Sequence, residues 1–352
     1  MNNDEPVLLR SEGSVLRITL NRPRALNALN HTMVRRVGEA LTLAAADASV
    51  TAVVLDGAGE RGLCAGGDIR SIHEDAHAGG RASVGFWRDE YILNARIAAF
   101  PKPYVALMDG IVMGGGVGVS AHGNVRVVTE RSRVAMPETG IGFVPDVGGT
   151  HLLARAPGEL GTHLALTGRA VGAADALLCG LADEFVPSDR LTELTGALSR
   201  TTGADEVADT VRRYTEVAPG GELSGGREWI DACYTAGTVE EIIDRLENSG
   251  VPEAKETAAT LLTLSPTALK VTLAAVRRAR GLGSLEAVLD QEFRVSCRAF
   301  AGHDLVEGVR ARIIDKDRTP HWSPARLEDV TEADVARHFE PLGDQELGLS
   351  AA

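Results

Sequence analysis

The sequence has little of several features that would point to particular classes of protein. Its 352 residues include four cysteines and no Cys-x-x-Cys pair, so no disulfide framework is predicted. Lys and Arg number 36 against 49 Asp and Glu, and a formal charge of −13 lacks the basic excess that nucleic-acid binding requires. No apolar run approaches the roughly 18 residues of a membrane span. We therefore expect no nucleic-acid partner and no membrane partner.

Targeting signals are also missing from the start of the sequence. Residues 1–6 lack the basic start and apolar stretch of a signal peptide, and they are not the Arg- and Ser-rich amphipath of an organelle presequence. Four widely spaced thiols suit a reducing compartment. From these features we expect a cytoplasmic protein.

The histidines and cysteines offer little alternative chemistry. His73 and His77 stand four residues apart in a helix-like stretch, but no third ligand lies nearby, so we expect no metal site. Cys64 lies beside a glycine turn and is interpreted as a small buried apolar residue rather than as a nucleophile.

Two glycine turns each follow an apolar, strand-like run. Gly114-Gly115-Gly116 comes after the run 104–108, and Gly66-Gly67 comes after the run 52–55. Without Cβ atoms these backbones can approach a ligand closely. Two N–H groups from separate turns, one of them from Gly67, would form an oxyanion hole if they converge on one oxygen.

Four carboxylates near these turns need interpretation. Asp68 is predicted to be the N-cap of a helix that starts near Ile69. Glu138 follows a proline and precedes an apolar stretch, which marks it as a functional candidate. Asp146 either caps a helix entered at the next residue or has a functional role. Glu90 lies in an amphipathic pattern over residues 86–98, whose acids usually face water.

Longer motifs resemble the crotonase (enoyl-CoA hydratase/isomerase) superfamily, over about residues 7 to 330. Within it the chain is most similar to the acyl-CoA hydrolases. The motifs are Asn-Arg-Pro-x-x-x-Asn-Ala-Leu at 21–29, Ala-Gly-Gly-Asp at 65–68, Met-Gly-Gly-Gly at 113–116, Met-Pro-Glu-Thr at 136–139, Pro-Asp-Val-Gly-Gly at 145–149, and the tail segments 302–310 and 314–317.

The resemblance implies a reaction and roles for the site residues. The N–H groups of Gly67 and Gly115 would hold a thioester carbonyl, Glu138 would attack it or activate water, and Asp146 would support proton transfer. Glu90 would bind a substrate hydroxyl. The substrate implied is a short, branched β-hydroxyacyl thioester, with 3-hydroxyisobutyryl-CoA from valine breakdown as the leading candidate. The coenzyme A contacts implied are Arg24, Leu26, Ala65, Gly66, Asp68 and Ile69.

The alternatives remain a hydratase or isomerase of the same fold and a non-enzymatic acyl-CoA binder. Hydratases of this superfamily carry a glutamate three residues after the oxyanion glycine, where this chain has Gly118. Simple hydration therefore lacks one of its two acid–base groups.

No separate cofactor is expected, because coenzyme A is part of the substrate. The Gly116-x-Gly118 pattern resembles a dinucleotide fingerprint, but the chain reaches the next strand-like run too soon for a parallel crossover. Arg22, Arg24 and Lys102 are the cations we consider for offsetting the charge of coenzyme A. We also expect a homo-oligomer, whether dimer, trimer or hexamer.

The chain pattern predicts an α/β protein with a crotonase-like spiral core of ββα units and a helical C-terminal extension. Strand-like runs are centred on residues 14–20, 51–55, 103–108, 125–129 and 184–187. A first helix is predicted after Asn30, and helices are predicted over 253–264, 266–280 and 284–301. We place a catalytic acyl-CoA-binding core at 1–200 and a helical region at 201–352.

Overall fold

The computed structural model describes residues 5–351, so residues 1–4, where the N-terminal segment begins, and residue 352 lie outside the described residues. Within this range the chain forms two compact units, each assembled from three segments. The first unit comprises residues 5–67, 89–135 and 171–221, and the second unit comprises residues 68–88, 136–170 and 222–351. The predicted boundary near residue 200, between a catalytic core and a helical region, stays a prediction.

Every strand in the described range belongs to the first unit. In chain order the strands are β1 (Val7–Glu12), β2 (Val15–Leu20), β3 (Ala52–Gly57), β4 (Gly62–Cys64), β5 (Tyr104–Met108), β6 (Ile111–Met113), β7 (Val125–Val128), β8 (Arg133–Ala135) and β9 (Glu184–Phe185). A six-stranded sheet has the order β1-β2-β3-β5-β7-β9, and a three-stranded sheet has the order β4-β6-β8. β1 and β2 pair antiparallel, and the remaining strand pairs are parallel.

Helices make up most of the remaining structure. In chain order they are α1 (His31–Ala46), α2 (Ile69–His77), α3 (Ala82–Ala98), α4 (Gly115–Ser120), α5 (Gly149–Leu153), α6 (Leu160–Thr167), α7 (Ala173–Leu178), α8 (Leu191–Leu198), α9 (Asp205–Arg212), α10 (Leu223–Tyr234), α11 (Val239–Asn248), α12 (Pro252–Leu261), α13 (Pro266–Ala279), α14 (Leu285–Phe300), α15 (Asp304–Val309) and α16 (Glu332–Arg337). Short 3₁₀ turns occur at Pro23–Ala25, Glu138–Ile141, Ser188–Arg190, Leu327–Asp329, Gly343–Gln345 and Leu349–Ala351, and Arg310–Ile314 is π-helical.

Strands enter the two sheets of the first unit alternately. β3, β5 and β7 pair in the six-stranded sheet, while the strand that directly follows each of them, β4, β6 or β8, pairs in the three-stranded sheet. Helical segments follow each such strand pair. This repeated strand–strand–helix pattern confirms the predicted α/β core of ββα units.

The first helix forms where its sequence predicts. The Asn30 side chain accepts a hydrogen bond from the Met33 backbone N–H at 2.9 Å, which satisfies one of the free donors at the start of α1. The apolar positions that recur at helical spacing are buried. α1 therefore presents one apolar face for packing, as its periodicity indicates.

An apolar cluster of the first unit links strands with the helices that follow them. Val54, Val105 and Val127 on neighbouring strands of the six-stranded sheet belong to the same buried cluster as Leu194 of α8 and Val207 of α9. Burial of an aliphatic side chain contributes about 1.5–3 kcal/mol. The sheet is thereby held on one face by helices that come later in the chain.

The second unit is helical, and α12, α13 and α14 confirm the helices predicted over 253–264, 266–280 and 284–301. Ser265 caps α13 and Ser284 caps α14, because each side chain accepts from a backbone N–H three residues later. α12 starts with Pro252 at its first turn, where a missing N–H costs nothing. None of the described helices is by itself long and apolar enough to cross a membrane; α12 and α13, bent by 114°, meet that criterion only as a pair.

Candidate active site

The glycine turns of the first unit follow adjacent parallel strands. β4 ends at Cys64 and β6 ends at Met113, and these two strands pair in the three-stranded sheet. Gly66 has φ +109° and Gly114 has φ +49°, conformations that residues with a Cβ adopt only with strain. The two turns therefore lie side by side. Each requires a glycine because the backbone adopts a positive φ where it leaves the strand.

Gly67 and Gly115 are brought close together. A Cβ atom on Gly115 would lie 3.4 Å from the backbone nitrogen of Gly67. Gly115 is the first residue of α4, where helix geometry leaves the N–H without an intrahelical acceptor. Neither N–H donates to any backbone acceptor in the turns, loops and caps of residues 5–351. The arrangement supplies two neighbouring backbone donors.

Glu90 reaches the same turn. Its Oε1 would lie 2.7 Å from a Cβ on Gly115, and the residue is only 2% exposed. Acids of amphipathic helices usually face water, but Glu90 is buried, and its implied contact with a substrate hydroxyl stays a prediction. The preceding residue, Asp89, takes the outer position and pairs with His31 at 2.7 Å and Arg35 at 3.0 Å. Periodicity marked the helix correctly but did not indicate which of two adjacent acids points inward.

The first unit joins two of the segments implied in coenzyme A binding. Ala65 donates its N–H to the Leu26 carbonyl at 3.0 Å, and Leu29 donates to the Gly66 carbonyl at 2.8 Å. Asn27 has φ +55°, and its side chain donates to the Gly62 carbonyl at 3.1 Å. The motif asparagine therefore ties the 23–29 turn to β4, a role that the sequence did not reveal.

Two of the three cations considered for coenzyme A have structural partners. Lys102 donates to the carbonyls of Ala44 and Asp47, each at 2.6 Å, and so closes the C-terminal end of α1. Arg22 donates to the Ala28 carbonyl at 2.6 Å. Arg24 is exposed and remains a predicted coenzyme A contact.

Asp68 and Ile69 belong to the second unit. Asp68 occupies the N-cap position of α2, and Ile69 is the first helical residue, as predicted. The Asp68 side chain does not make a cap hydrogen bond, so its position and not its side chain matches the N-cap prediction. The contacts of Asp68 and Ile69 with coenzyme A stay predictions.

The second unit contains both predicted catalytic carboxylates in one buried stretch. Glu138 opens the 3₁₀ turn Glu138–Ile141 and is 7% exposed, and Asp146 is 5% exposed. A Cβ on Gly149 would lie 2.6 Å from Met136 Cε, so the glycine lets the two motif halves pack together. Burial of both acids distinguishes them from most carboxylates, which are solvated.

The tail motif packs on this stretch. A Cβ on Gly308 in α15 would lie 2.3 Å from the Ile141 carbonyl oxygen, and one on Gly142 would lie 2.4 Å from the Asp304 carbonyl oxygen. Glu307 accepts from Arg310 at 2.8 Å, and this hydrogen bond lowers the pKa of Glu307 to about 2. These contacts support a structural role for the tail.

Asp146 does not cap a helix that begins at Val147. α5 begins at Gly149 with Gly148 in the N-cap position, and the Asp146 carbonyl accepts from the Gly149 N–H at 2.6 Å. The alternative interpretation, in which Asp146 caps a helix entered at Val147, is therefore wrong, because the helix begins two residues later.

A further buried carboxylate lies beside the Asp146 turn. Glu292 accepts hydrogen bonds from the Gly148 and Thr150 backbones. Burial raises the pKa of Glu292 to about 8, the Thr150 and Gly148 donors oppose the rise, and the charge of Asp146 adds to it. Sequence inspection missed this residue.

Cys64 lies in the core, as interpreted, and His73 and His77 lie together in α2. Cys64 is fully buried, and burial raises the pKa of its thiol to about 12, which suits an inert core residue. His73 and His77 stack in α2 with ring centroids 6.0 Å apart. Within residues 5–351 no cluster of three or more His, Cys, Asp or Glu side chains is arranged to hold a metal ion.

Comparisons with known proteins extend over nearly the whole chain. The model of the Enoyl-CoA hydratase/isomerase family matches residues 15–339. The mitochondrial 3-hydroxyisobutyryl-CoA hydrolases of Rattus norvegicus and Homo sapiens are 43% and 42% identical, and each alignment covers 97% of this chain and 90% of the relative.

Crystal structures carry other names. A carnitinyl-CoA dehydratase from Mycobacterium thermoresistibile is 52% identical with a TM-score of 0.94, and the match covers 99% of this chain and 100% of that one. An enoyl-CoA hydratase from Rhodobacter sphaeroides is 45% identical with a TM-score of 0.91, and the match covers 97% and 99%. Both agree with the predicted crotonase-like fold.

The relatives also correct one expectation. The hydrolases of rat and human are mitochondrial, so the predicted cytoplasmic location is wrong. Scattered free thiols are compatible with any reducing compartment, so they do not indicate the cytosol in particular.

Proposed function

This chain belongs to the enoyl-CoA hydratase/isomerase family, and from that membership we propose that it hydrolyses 3-hydroxyisobutyryl-CoA to 3-hydroxyisobutyrate and coenzyme A. Curated hydrolases with this activity in their names align with 97% of the chain. Water supplies the oxygen of the new carboxylate, and the sulfur leaves as the thiol of coenzyme A.

The two glycine N–H groups are proposed to hold the carbonyl oxygen of the thioester. Negative charge gathers on that oxygen when the carbonyl carbon is attacked, and preorganised backbone donors stabilise it without reorientation. The proximity of the Gly67 nitrogen to Gly115 supports this role. Glu90, buried beside Gly115, is proposed to accept a hydrogen bond from the β-hydroxyl of the substrate.

Glu138 is proposed as the reacting carboxylate. It either attacks the carbonyl carbon, giving a mixed anhydride that water then hydrolyses, or removes a proton from the attacking water. Asp146 is proposed to support the accompanying proton transfers. These roles rest on the matched motif and on the burial of both side chains.

The observation that carries the choice of hydrolysis is the glycine at position 118. Addition of water across a double bond requires a proton donor and a proton acceptor at adjacent carbons. Gly118 lies inside α4, three residues after Gly115, and provides neither. Thioester hydrolysis needs only the oxyanion donors and one reacting carboxylate.

A hydratase or dehydratase is the second candidate, and a specific observation favours it. The crystal structures named carnitinyl-CoA dehydratase and enoyl-CoA hydratase are 52% and 45% identical to this chain, more than the hydrolases of rat and human. On this alternative, Glu138 and Asp146 would share the acid–base work.

Two assays separate the candidates. A hydrolase releases a free thiol from 3-hydroxyisobutyryl-CoA, whereas a hydratase consumes the enoyl absorbance of crotonyl-CoA. We expect thiol release with little loss of enoyl absorbance. Enoyl turnover without thiol release would overturn the proposal in favour of the second candidate, and activity in neither assay would indicate an acyl-CoA binder.

Coenzyme A is proposed to enter as part of the substrate, with Arg24, Leu26, Ala65, Gly66, Asp68 and Ile69 as its contacts and no further cofactor. A homo-oligomer is also proposed, and sedimentation would distinguish a dimer, trimer and hexamer.

A further inference from the structure

The turn that carries Asp146 is strained. Val147 has φ +53° and Gly148 has φ +79°, two successive left-handed residues. Glycine adopts this conformation readily, but a β-branched residue such as Val147 adopts it only with backbone strain. Such a conformation persists only where its surroundings impose it. The contacts that impose it are therefore part of what orients Asp146.

Glu292 of α14 supplies those contacts. Its Oε2 accepts the Gly148 N–H at 2.6 Å, and its Oε1 accepts the Thr150 N–H at 2.9 Å and the Thr150 hydroxyl at 2.6 Å. The glutamate is 1% exposed and lies 144 residues from Gly148 in sequence. Both carboxyl oxygens are thus used to hold one short turn.

We propose that Glu292 is a positioning residue, whose two oxygens clamp the turn 146–150 and thereby hold Asp146 in the orientation that turnover requires. The inference rests on the proposed role of Asp146 in thioester hydrolysis. Glu292 itself is not assigned a contact with the substrate. It acts through the backbone that it fixes.

A glutamine cannot reproduce the clamp. Its amide has one oxygen and one NH₂ group, so whichever way it turns, a donor faces either the Gly148 N–H or the Thr150 N–H. Shape and volume change little, but one arm of the clamp is lost. Glu292→Gln is therefore a selective probe of the clamp rather than of core packing.

Asp290 offers a matched control two residues earlier on the same helix. It is 5% exposed and also accepts from two backbone N–H groups and one hydroxyl: Leu349 N–H at 2.9 Å, Ser350 N–H at 3.0 Å and Ser350 Oγ at 2.5 Å. Asp290→Asn therefore removes the same kinds of contact from a different part of the chain. The two variants separate positioning from general stability.

The experiment compares kcat, KM and amide hydrogen exchange in the wild type, Glu292→Gln and Asp290→Asn. We expect Glu292→Gln to lower kcat by about 10- to 100-fold, since misplacing a catalytic group by about 1 Å can cost 10²-fold. KM should stay within about threefold because the variant changes no proposed substrate contact. Exchange should accelerate at Gly148 and Thr150, and Asp290→Asn should show neither change.

Equal kcat in the Glu292→Gln and Asp290→Asn variants would overturn the proposal, as would unchanged exchange at Gly148 and Thr150. If Glu292→Gln does not fold, Thr150→Val removes only the hydroxyl donor, and it should lower kcat in the same direction by a smaller factor. If the wild type instead hydrates enoyl-CoA, the proposed hydrolysis fails. The clamp would then be judged by exchange and by kcat for that reaction.

Discussion

The turn around Gly115 in the first unit and the turn around Asp146 in the second unit are shaped by opposite means. The first depends on side chains that are missing, because a Cβ at Gly115 would meet Glu90 and approach the Gly67 nitrogen. The second depends on a side chain that is present, because Glu292 holds a strained backbone from 144 residues away. Local glycine patterns reveal the first kind of turn, and only the folded chain reveals the second.

The largest expected effect comes from the second unit. Glu138→Gln should reduce thiol release by at least about 10²–10⁴-fold, because it removes the proposed nucleophile or base while keeping its volume. Coenzyme A affinity, measured by calorimetry, should stay within about threefold. Glu159→Gln is the control, since Glu159 is also buried but pairs with Arg280 at 2.9 Å, and its loss should affect stability only. Unchanged turnover in Glu138→Gln would refute the assignment.

The first unit is tested by adding a single methyl group. Gly115→Ala should lower kcat/KM by about 10²-fold, the usual cost of an impaired oxyanion donor. Its melting temperature should change little, because the added Cβ meets the movable ends of Glu90 and Leu29.

Gly116→Ala is the matched contrast. Its Cβ would lie 2.4 Å from the Cys64 carbonyl oxygen, which is backbone and cannot move aside easily, so overpacking should cost on the order of 1–3 kcal/mol. Thermal unfolding of both variants checks the pair. A Gly115→Ala protein that is destabilised but fully active would mean that the glycine serves only the turn.

A smaller effect is expected at Glu90. Comparing 3-hydroxyisobutyryl-CoA with the analogue that lacks the hydroxyl should show a preference of about 10- to 100-fold in the wild type, since an unmade buried hydrogen bond costs about 1–3 kcal/mol. Glu90→Gln should narrow that preference. Equal narrowing by Asp89→Asn, on the outer face of α3, would argue against a specific contact.

The effect expected to be smallest on activity is a dependence of stability on pH at Glu292. Burial raises the pKa of this group from 4.5 to about 8 in the folded protein, so between those values the folded state binds the proton more tightly. Its contribution to stability is therefore complete below pH 4.5 and is lost as pH rises through 8. In urea unfolding, the stability difference between wild type and Glu292→Gln should shrink over that range. A stability difference that grows as pH rises over that range would contradict the raised pKa of Glu292.

Sequence reasoning succeeded where a signal is local. Asn30 capping α1 and the glycines after β4 and β6 are each set by neighbours within a few residues. Strands of the six-stranded sheet were also predicted, apart from β1. The three-residue strands β4, β6 and β8 were missed because so short a run has no measurable alternation.

The rest depends on contacts between distant segments. From the sequence alone, Lys102 is a plausible cation for binding coenzyme A. In the structure it donates instead to the Asp47 carbonyl at the end of α1, 55 residues earlier in the chain. Glu90 appears as one acid among many in an amphipathic helix, but it is buried beside Gly115. Nothing near Glu292 in sequence indicates that it holds Gly148 and Thr150. Charges acquire such roles only when folding removes them from water.

The buried cysteines have a practical consequence for measuring this protein. Cys64, Cys179 and Cys233 are buried, Cys297 is partly exposed, and burial raises the pKa of each thiol. Since thiolates are the species that attack the reagents used to detect coenzyme A, the native chain should add little background colour of its own. The same reagent, applied without substrate, would then count unfolded molecules and report at once whether a variant has lost its fold or only its chemistry.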